Sequence, residues 1–212
     1  MTAVILDRGL ERSIIRRRRR LGIDLRDEVW DGVYVMAPAA DHEHQRLSGD
    51  LYTAFKPAIN DDRLGSAEPN VNVSDRKRGW RKNYRCPDIA VFLTGNPAED
   101  MGTFWYGGPD FAIEIVSPRD RTRKKIPFYE KVGTRELLIV DRRPWKLTLF
   151  RLQAGLLVEA GQSTDDDRLL LVSQIVPLSF RLAQHGEQHA IEVIHHDGRK
   201  WTIEARPQAG RA

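Results

Sequence analysis

Cysteine is nearly absent from this 212-residue chain, because Cys86 is its only one. No disulfide can therefore form within the chain, and a buried core must supply the stability. A chain of this length buries enough apolar surface to fold without covalent or metal staples. This cysteine usage suits a reducing compartment.

Long apolar runs are also missing. No stretch approaches the roughly 20 apolar residues that a membrane-spanning helix needs. Near the N-terminus only Val4, Ile5 and Leu6 precede the first charged residue, which is too short for the core of a signal peptide. We therefore expect a cytoplasmic protein that makes no use of a membrane.

Acidic residues are scarce at the N-terminus, although the whole chain has a net charge of only +4. Residues 1–20 contain seven arginines against Asp7 and Glu11, so this segment carries +5 and the remainder −1. The basic excess therefore argues only weakly that the whole protein binds nucleic acid. Residues 11–21 predict a short basic helix, which is either a solvated arm or an arm that binds phosphates.

Hydrophobic patterning predicts an α/β fold, in which a mixed sheet is flanked by helices and followed by an extra C-terminal hairpin. Helices are predicted over 41–58 and 122–132, where Pro127 either delays or kinks the second helix and Gly133 caps it. Residues 94–110 are expected to form a loop. The predicted strands cover 29–36 (a hairpin turning at Asp31-Gly32), 84–93, 111–116, 137–140, 145–151 and the hairpin 190–205.

One domain is expected, because neither repeats nor a linker interrupt the pattern. Residues 1–24 form the basic arm, residues 25–182 form the core, and residues 183–212 form the hairpin extension.

Two acids lie inside otherwise apolar runs. Asp88 opens the run I-A-V-F-L, and Glu114 lies within F-A-I-E-I-V. A buried carboxylate is costly unless it is protonated, paired with a cation or bound to a metal. For either acid alone a structural ion pair is the favoured interpretation. Two acids on separate strands can converge on one metal, and their hard oxygen atoms select magnesium, manganese or calcium over zinc.

Basic side chains crowd the segments next to both acids. Carboxylates that hold a cation beside phosphate-binding side chains are what phosphodiester hydrolysis requires. The two groups are Arg119, Arg121, Arg123, Lys124 and Lys125 after Glu114, and Arg76, Lys77, Arg78, Arg81, Lys82 and Arg85 before Asp88.

Pro87-Asp88 followed by Glu114, twenty-six positions later, resembles the PD-(D/E)xK nuclease superfamily. More closely, the chain resembles the Uma-two (Uma2) family of restriction endonucleases over roughly residues 25–182. The blocks that carry this resemblance are D-E-V-W-D-G-V-Y-V-M-A-P, H-E-H-Q-R-L, Y-R-C-P-D-I-A-V, A-I-E-I-V-S-P, K-I-P-F-Y-E-K-V-G and E-L-L-I-V-D. The resemblance implies a restriction-endonuclease-like core that cleaves DNA with Mg²⁺ or Mn²⁺ bound by Asp88 and Glu114.

One position departs from the superfamily pattern, since Val116 stands where a lysine usually follows the glutamate. The family is similar in placing its lysine on the next helix, four residues before a tyrosine, which matches Lys125. The resemblance implies that Lys125 orients the attacking water or stabilises negative charge. Lys124 competes for this role, but helical geometry turns the two side chains about 100° apart, so both cannot face the acids.

Two further residues match family positions. Glu28 matches an N-terminal acid, and is either a further ligand, a partner for Lys125 or a surface acid beside a turn. His44 matches a histidine near the start of a helix, where it either contacts substrate or has the structural role that we favour. Nucleic acid is expected to contact His44 together with Arg76, Lys77, Arg78, Arg81 and Lys82.

We therefore expect a metal-dependent endodeoxyribonuclease, with a homodimer as the arrangement that cuts both strands. The alternatives are a catalytically inactive nucleic-acid-binding module and a regulatory interaction protein on the same fold.

Overall fold

The structure is a computed structural model that describes residues 8–37, 41–117, 121–186 and 188–205. Its α-helices are α1 (Arg8–Arg20), α2 (His42–Phe55) and α3 (Ile126–Val132). The strands are β1 (Glu28–Trp30), β2 (Val33–Val35), β3 (Gly65–Pro69), β4 (Val73–Ser74), β5 (Tyr84–Arg85), β6 (Ile89–Leu93), β7 (Glu99–Asp100), β8 (Trp105–Tyr106), β9 (Phe111–Ile115), β10 (Glu136–Arg142), β11 (Trp145–Gln153), β12 (Leu156–Thr164), β13 (Leu171–Val172), β14 (Leu178–His185), β15 (Gln188–His195) and β16 (Lys200–Glu204).

A six-stranded central sheet carries the fold, in the order β12-β11-β10-β9-β6-β3. Its β9 and β10 run parallel, and the other neighbouring strands are antiparallel. One face packs against α2 and the sheet β13-β14-β15-β16, and the opposite face packs against α3. The predicted mixed α/β sheet with flanking helices is therefore confirmed.

The second helix forms where the apolar periodicity predicted it. Asp41 caps its N-terminus by accepting a 2.7 Å hydrogen bond from the backbone N–H of His44. Leu47, Leu51 and Phe55 are buried on its sheet-facing side. The helix then widens into a π-helical segment over Lys56–Asp61.

Two predictions for residues 84–110 are wrong. Residues 84–93 form two strands in different sheets, because Pro87 has no N–H to donate to a ladder and the chain turns there. Residues 94–110 contain the short strands β7 and β8, and the ring of Trp105 stacks on Phe92 at a centroid distance of 3.8 Å. The sequence analysis also missed β3 and β12, which form the two edges of the central sheet.

The remaining local predictions are confirmed. Asp31-Gly32 turns the β1–β2 hairpin with positive φ at both residues. A 3₁₀ turn over Thr122–Lys125 precedes α3, which begins one residue before Pro127, where a missing N–H costs no helical hydrogen bond. The predicted C-terminal hairpin is formed by β15 and β16, and it belongs to a four-stranded sheet.

The basic helix α1 attaches to the core through one of its arginines. Arg18 donates to both oxygens of the buried Asp27 carboxylate, at 2.6 and 2.7 Å. It also donates to the backbone carbonyls of Ile23 and Ala37. This anchor fixes the loop that leads into β1. Among the described residues, no helix is both long and apolar enough to cross a membrane.

The edge strand β3 depends on a glycine, which gives a test of the fold. A Cβ atom added at Gly65 would meet the carbonyl oxygen of Phe92 and lie 2.6 Å from Leu93 Cα. Because these are backbone atoms of β6, we expect Gly65→Ala to lower the free energy of unfolding by about 1–3 kcal/mol. Urea denaturation measures this change.

Gly49 is the matched control, since it lies in α2 and an added Cβ there meets nothing within 4 Å. Gly49→Ala should stabilise the protein by up to about 1 kcal/mol through helix propensity. Equal effects of the two substitutions would contradict the pairing of β3 with β6.

Candidate active site

The two acids meet where strands β6 and β9 lie side by side. Ile89 pairs with Ile113, so Asp88, one residue before, and Glu114, one residue after, are cross-strand neighbours on one face of the sheet. Asp88 is 6% exposed and Glu114 is 3% exposed. The face they share is the one that α3 covers.

Asp88 is held by its neighbours at both carboxylate oxygens. Its Oδ2 accepts a 2.8 Å hydrogen bond from the backbone N–H of Ile115. Its Oδ1 lies 3.4 Å from Nε2 of His44 and 3.5 Å from Nη1 of Arg26. Burial by itself raises the pKa of Asp88, but the interaction with His44, the hydrogen bond from the backbone of Ile115 and the charge of Lys125 together outweigh burial and lower that pKa overall. Asp88 is therefore a carboxylate.

Glu114 has the opposite electrostatic character. Its two oxygens lie 2.9 and 2.8 Å from Nζ of Lys125, and Oε1 also accepts a 2.5 Å hydrogen bond from the hydroxyl of Tyr129. Burial raises the pKa of Glu114 to about 8, and the charges of Glu28 and Asp88 add to this, whereas the ammonium of Lys125 opposes it. The positive charge of Lys125 therefore does not offset the combined effect of burial and the two neighbouring acids.

Lys125 joins Glu114 to a third acid. Its Nζ lies 2.8 Å from Oε1 of Glu28. Glu28 is itself fixed by the backbone N–H of Cys86 at 2.9 Å and by the indole N–H of Trp30 at 2.6 Å. The neighbouring Lys124 is exposed. Of the two competing lysines, only Lys125 therefore lies at the acids, and Glu28 is its partner.

The N-terminus of α2 brings His44 to Asp88. Asp41, which caps this helix, is bound by the buried guanidinium of Arg142 at 2.8 Å. Arg142 also contacts Glu43 at 3.0 Å and donates to the carbonyl of Val116 at 3.2 Å. The end of β10, the end of β9 and the start of α2 are thereby tied together, which fixes the approach of His44 to the acids.

Of the residues predicted to bind nucleic acid, His44 lies beside Asp88. The predicted arginines and lysines lie on a separate segment, between β4 and β5. Arg76 pairs with Asp75 at 2.7 Å, and Lys77 pairs with Glu99 at 2.7 Å. Arg81 packs over the ring of Trp80. Arg81 and Lys82 line a surface cavity of about 590 Å³ together with residues of α1. Arg78 is exposed, and Arg119 of the second basic group lies outside the described residues.

Sequence reasoning missed two groups at the site. In the sequence analysis Tyr129 serves only to place Lys125 and its hydroxyl is given no role, although a tyrosine four residues after Lys125 lies one turn along the same side. Arg26 was not considered, yet it stands two residues before Glu28 in L-R-D-E. That proximity in sequence was the available signal.

The acids fit a hard divalent cation. Glu28, Asp88 and Glu114 supply three buried carboxyl groups, and the cations in direct contact with them are the buried ammonium of Lys125 and the partly exposed guanidinium of Arg26. Carboxylate oxygens are the ligands that Mg²⁺ and Mn²⁺ prefer. A cation held by these acids would oppose the burial and the neighbouring negative charges that raise the pKa of Glu114.

Among the described residues, the group whose possible ligand atoms all lie within 4.8 Å of one another is a different one, namely Asp62, His195 and Asp197. It lies where the π-helical segment and β15 end. Arg199 already pairs with both acids, since its Nε lies 2.8 Å from Asp197 and its Nη2 contacts Asp62. This group is therefore balanced by a cation of the protein itself.

Comparison with known proteins places the chain in a family. The model of the Uma2 family, described as "Putative restriction endonuclease", matches residues 19–184. No curated protein matches the chain. Among solved structures, a "putative nuclease belonging to DUF820" from Anabaena variabilis is similar, with a TM-score of 0.58 and 21% identity over 70% of this chain and 82% of that chain. That likeness shows the fold. Because the family model spans well over half of the sequence, the chain belongs to the Uma2 family.

Proposed function

We propose that this protein hydrolyses phosphodiester bonds in DNA, with Mg²⁺ or Mn²⁺ held by Asp88 and Glu114. The observation that carries the proposal is the buried cross-strand pair of acids with the ammonium of Lys125 against Glu114. Membership of the Uma2 family supports nuclease chemistry at this site.

A divalent ion in such a site polarises the scissile phosphate and makes water a stronger nucleophile. The protein's own groups provide orientation. A hydrogen bond from the backbone N–H of Ile115 orients the side chain of Asp88, and one from the hydroxyl of Tyr129 orients that of Glu114. These fixed donors leave the acids little freedom, so their oxygens are preorganised.

Lys125 takes the role that a strand lysine has elsewhere in the superfamily. The side chain of Val116 cannot donate a proton or a hydrogen bond, whereas Lys125 reaches Glu114 from the turn before α3. Its ammonium would stabilise negative charge on the phosphate or orient the attacking water. Glu28 is a second carboxyl group in contact with this ammonium, at 2.8 Å.

The second candidate function is nucleic-acid binding without cleavage, or a regulatory interaction on the same fold. The contacts of Lys125 with two acids favour this second candidate, because an ion pair of this kind is also what a purely structural site would contain.

Incubation of the protein with supercoiled plasmid, single-stranded DNA and RNA in Mg²⁺, Mn²⁺ or EDTA separates these functions. Cleavage in the metal lanes that is lost with EDTA and with Asp88→Asn supports a nuclease, and binding without cleavage supports the alternative.

The two adjacent lysines provide a matched pair of substitutions. Lys125→Met should reduce plasmid cleavage by at least about 10²-fold, since it removes a charge at the reacting centre. Lys124→Met should leave the rate within about threefold, because this exposed side chain contributes at most general attraction to phosphate. Gel assays at equal protein concentration measure both rates.

Circular dichroism must show that both lysine variants are folded. Loss of cleavage in Lys124→Met with retention in Lys125→Met would contradict the assignment. Full activity in both variants would show that neither Lys124 nor Lys125 is catalytic.

Metal binding should release a proton, because burial raises the pKa of Glu114 to about 8 and a ligand must be deprotonated. Below about pH 8 the apparent affinity for Mn²⁺ should rise up to about tenfold per pH unit, and above it the affinity should level off. Calorimetric titration in two buffers of different ionisation enthalpy counts the protons released.

His195→Gln provides the control for the proton count, because it disables the other group of possible ligands. An unchanged pH profile in this variant excludes His195 as the source of the pH dependence. Affinity that does not depend on pH, or that vanishes in the His195 variant, would contradict the site.

The basic segment before β5 should contribute to DNA affinity unequally. Replacement of Arg78, Arg81 and Lys82 by Ala should flatten the dependence of log affinity on log salt by roughly 0.9 for each phosphate that these side chains neutralise. Replacement of Arg76 and Lys77 should change it less, because Asp75 and Glu99 already pair with them. Fluorescence anisotropy in Ca²⁺ measures the slope of log affinity against log salt for each protein. Equal slopes in wild type and all variants would show that the segment does not contact phosphate.

A further inference from the structure

Arg26 is a partly exposed arginine that lies beside Asp88. Its Nη1 is 3.5 Å from Oδ1 of Asp88 and 3.2 Å from Nδ1 of His44. Arg26 belongs to the loop between α1 and β1, and the anchor from Arg18 to Asp27 fixes the residue next to it. The guanidinium therefore reaches the site from a rigid point of the backbone.

The contact from Arg26 sets the hydrogen-bonding state of His44. A guanidinium only donates, so Nδ1 of His44 must accept from Arg26 and its other nitrogen, Nε2, carries the proton that faces Asp88. Oδ1 of Asp88 thus lies 3.4 Å from Nε2 of His44 and 3.5 Å from Nη1 of Arg26, whereas Oδ2 accepts a hydrogen bond from the backbone N–H of Ile115. Oδ1 is the oxygen left for a divalent ion, and Arg26 competes with the ion for it.

The two cations of the site differ in their freedom to move. The side chain of Lys125 is 11% exposed and contacts two carboxylates, whereas that of Arg26 is 29% exposed and contacts Asp88 at a longer distance. A divalent ion at Asp88 would repel both, but only Arg26 can turn toward solvent at little cost. A guanidinium that turns away from Asp88 toward solvent is placed to bind an anionic group of a ligand at the site.

We propose that Arg26 is an exchangeable cation, which neutralises Asp88 in the ion-free protein and turns to a phosphate of the bound DNA once the metal is bound. The inference rests on the proposed function and adds a substrate-contacting residue to it. Arginine suits this exchange, because its planar fork of donors binds carboxylate and phosphate alike. The same exchange would keep the site charge-balanced before the ion arrives.

The exchange predicts effects of opposite sign in one variant. Arg26→Met should bind Ca²⁺ at least about threefold more tightly than wild type in the absence of DNA, because a competing charge is gone. The gain in DNA affinity that Ca²⁺ produces in wild type should shrink in the same variant. Arg26→Lys should lie between the two, since it keeps the charge but not the planar fork.

Arg46→Met is the matched control. Arg46 is an exposed arginine two residues after His44 on α2, so it faces a different direction and its replacement removes the same charge from the same region. Calorimetry with Ca²⁺ and anisotropy with a short DNA duplex, each in Ca²⁺ and in EDTA, should leave this variant within about twofold of wild type.

Unchanged or weaker Ca²⁺ binding in Arg26→Met would overturn the competition for Asp88. An undiminished DNA gain would overturn the contact with phosphate. Both measurements detect binding and do not depend on cleavage. Failure of the proposed function would appear differently, as a wild-type protein that neither binds an ion nor cuts DNA. If Arg26→Met does not fold, the intermediate Arg26→Lys variant decides the question by the same two measurements.

Discussion

The buried contact of Lys125 with Glu114 and Glu28 is the interaction on which the rest of the site depends. It joins three separate parts of the chain, namely β9, the turn before α3 and the start of β1. Removing one partner from such a group leaves an uncompensated buried charge, which typically costs about 3–5 kcal/mol. The turn that precedes α3 and the anchored loop before β1 are therefore tied to this ammonium.

The site has two halves of different character around this contact. At Glu114 the cation is buried and fixed, yet burial still raises the pKa of the carboxyl. At Asp88 the donors are a backbone N–H, a histidine and a partly exposed arginine, and the hydrogen bonds from the first two lower its pKa. One acid is thus ionised and prepared for a cation, and the other gains most from receiving one. Neighbouring carboxyls with separated pKa values are typical of catalytic sites.

Much of this arrangement was predictable from the sequence, because local chemistry determines it. Asp88 and Glu114 were identifiable as acids in apolar strand runs, and Asp31-Gly32 and Gly133 marked a turn and a helix end. The family resemblance favours Lys125 over Lys124, whereas helical geometry alone allows either lysine to face the acids.

The remainder was not predictable because it depends on contacts distant in sequence. The edge strand β3 contains Gly65 and Pro69, which lack strand propensity, and it forms because it pairs with β6. The break at Pro87 separates two strands that look like one run in the sequence. Arg26 is an ordinary loop arginine in sequence, and only the approach of α2 brings His44 and Asp88 to it.

The location of the ion tests the central claim most directly. Diffraction from crystals soaked in Mn²⁺, recorded at the manganese absorption edge, should show an anomalous peak within roughly 2.0–2.6 Å of carboxylate oxygens of both Asp88 and Glu114. A peak only at the group of Asp62, His195 and Asp197, or none at either group at saturating Mn²⁺, would contradict a metal-dependent site at the ends of these strands.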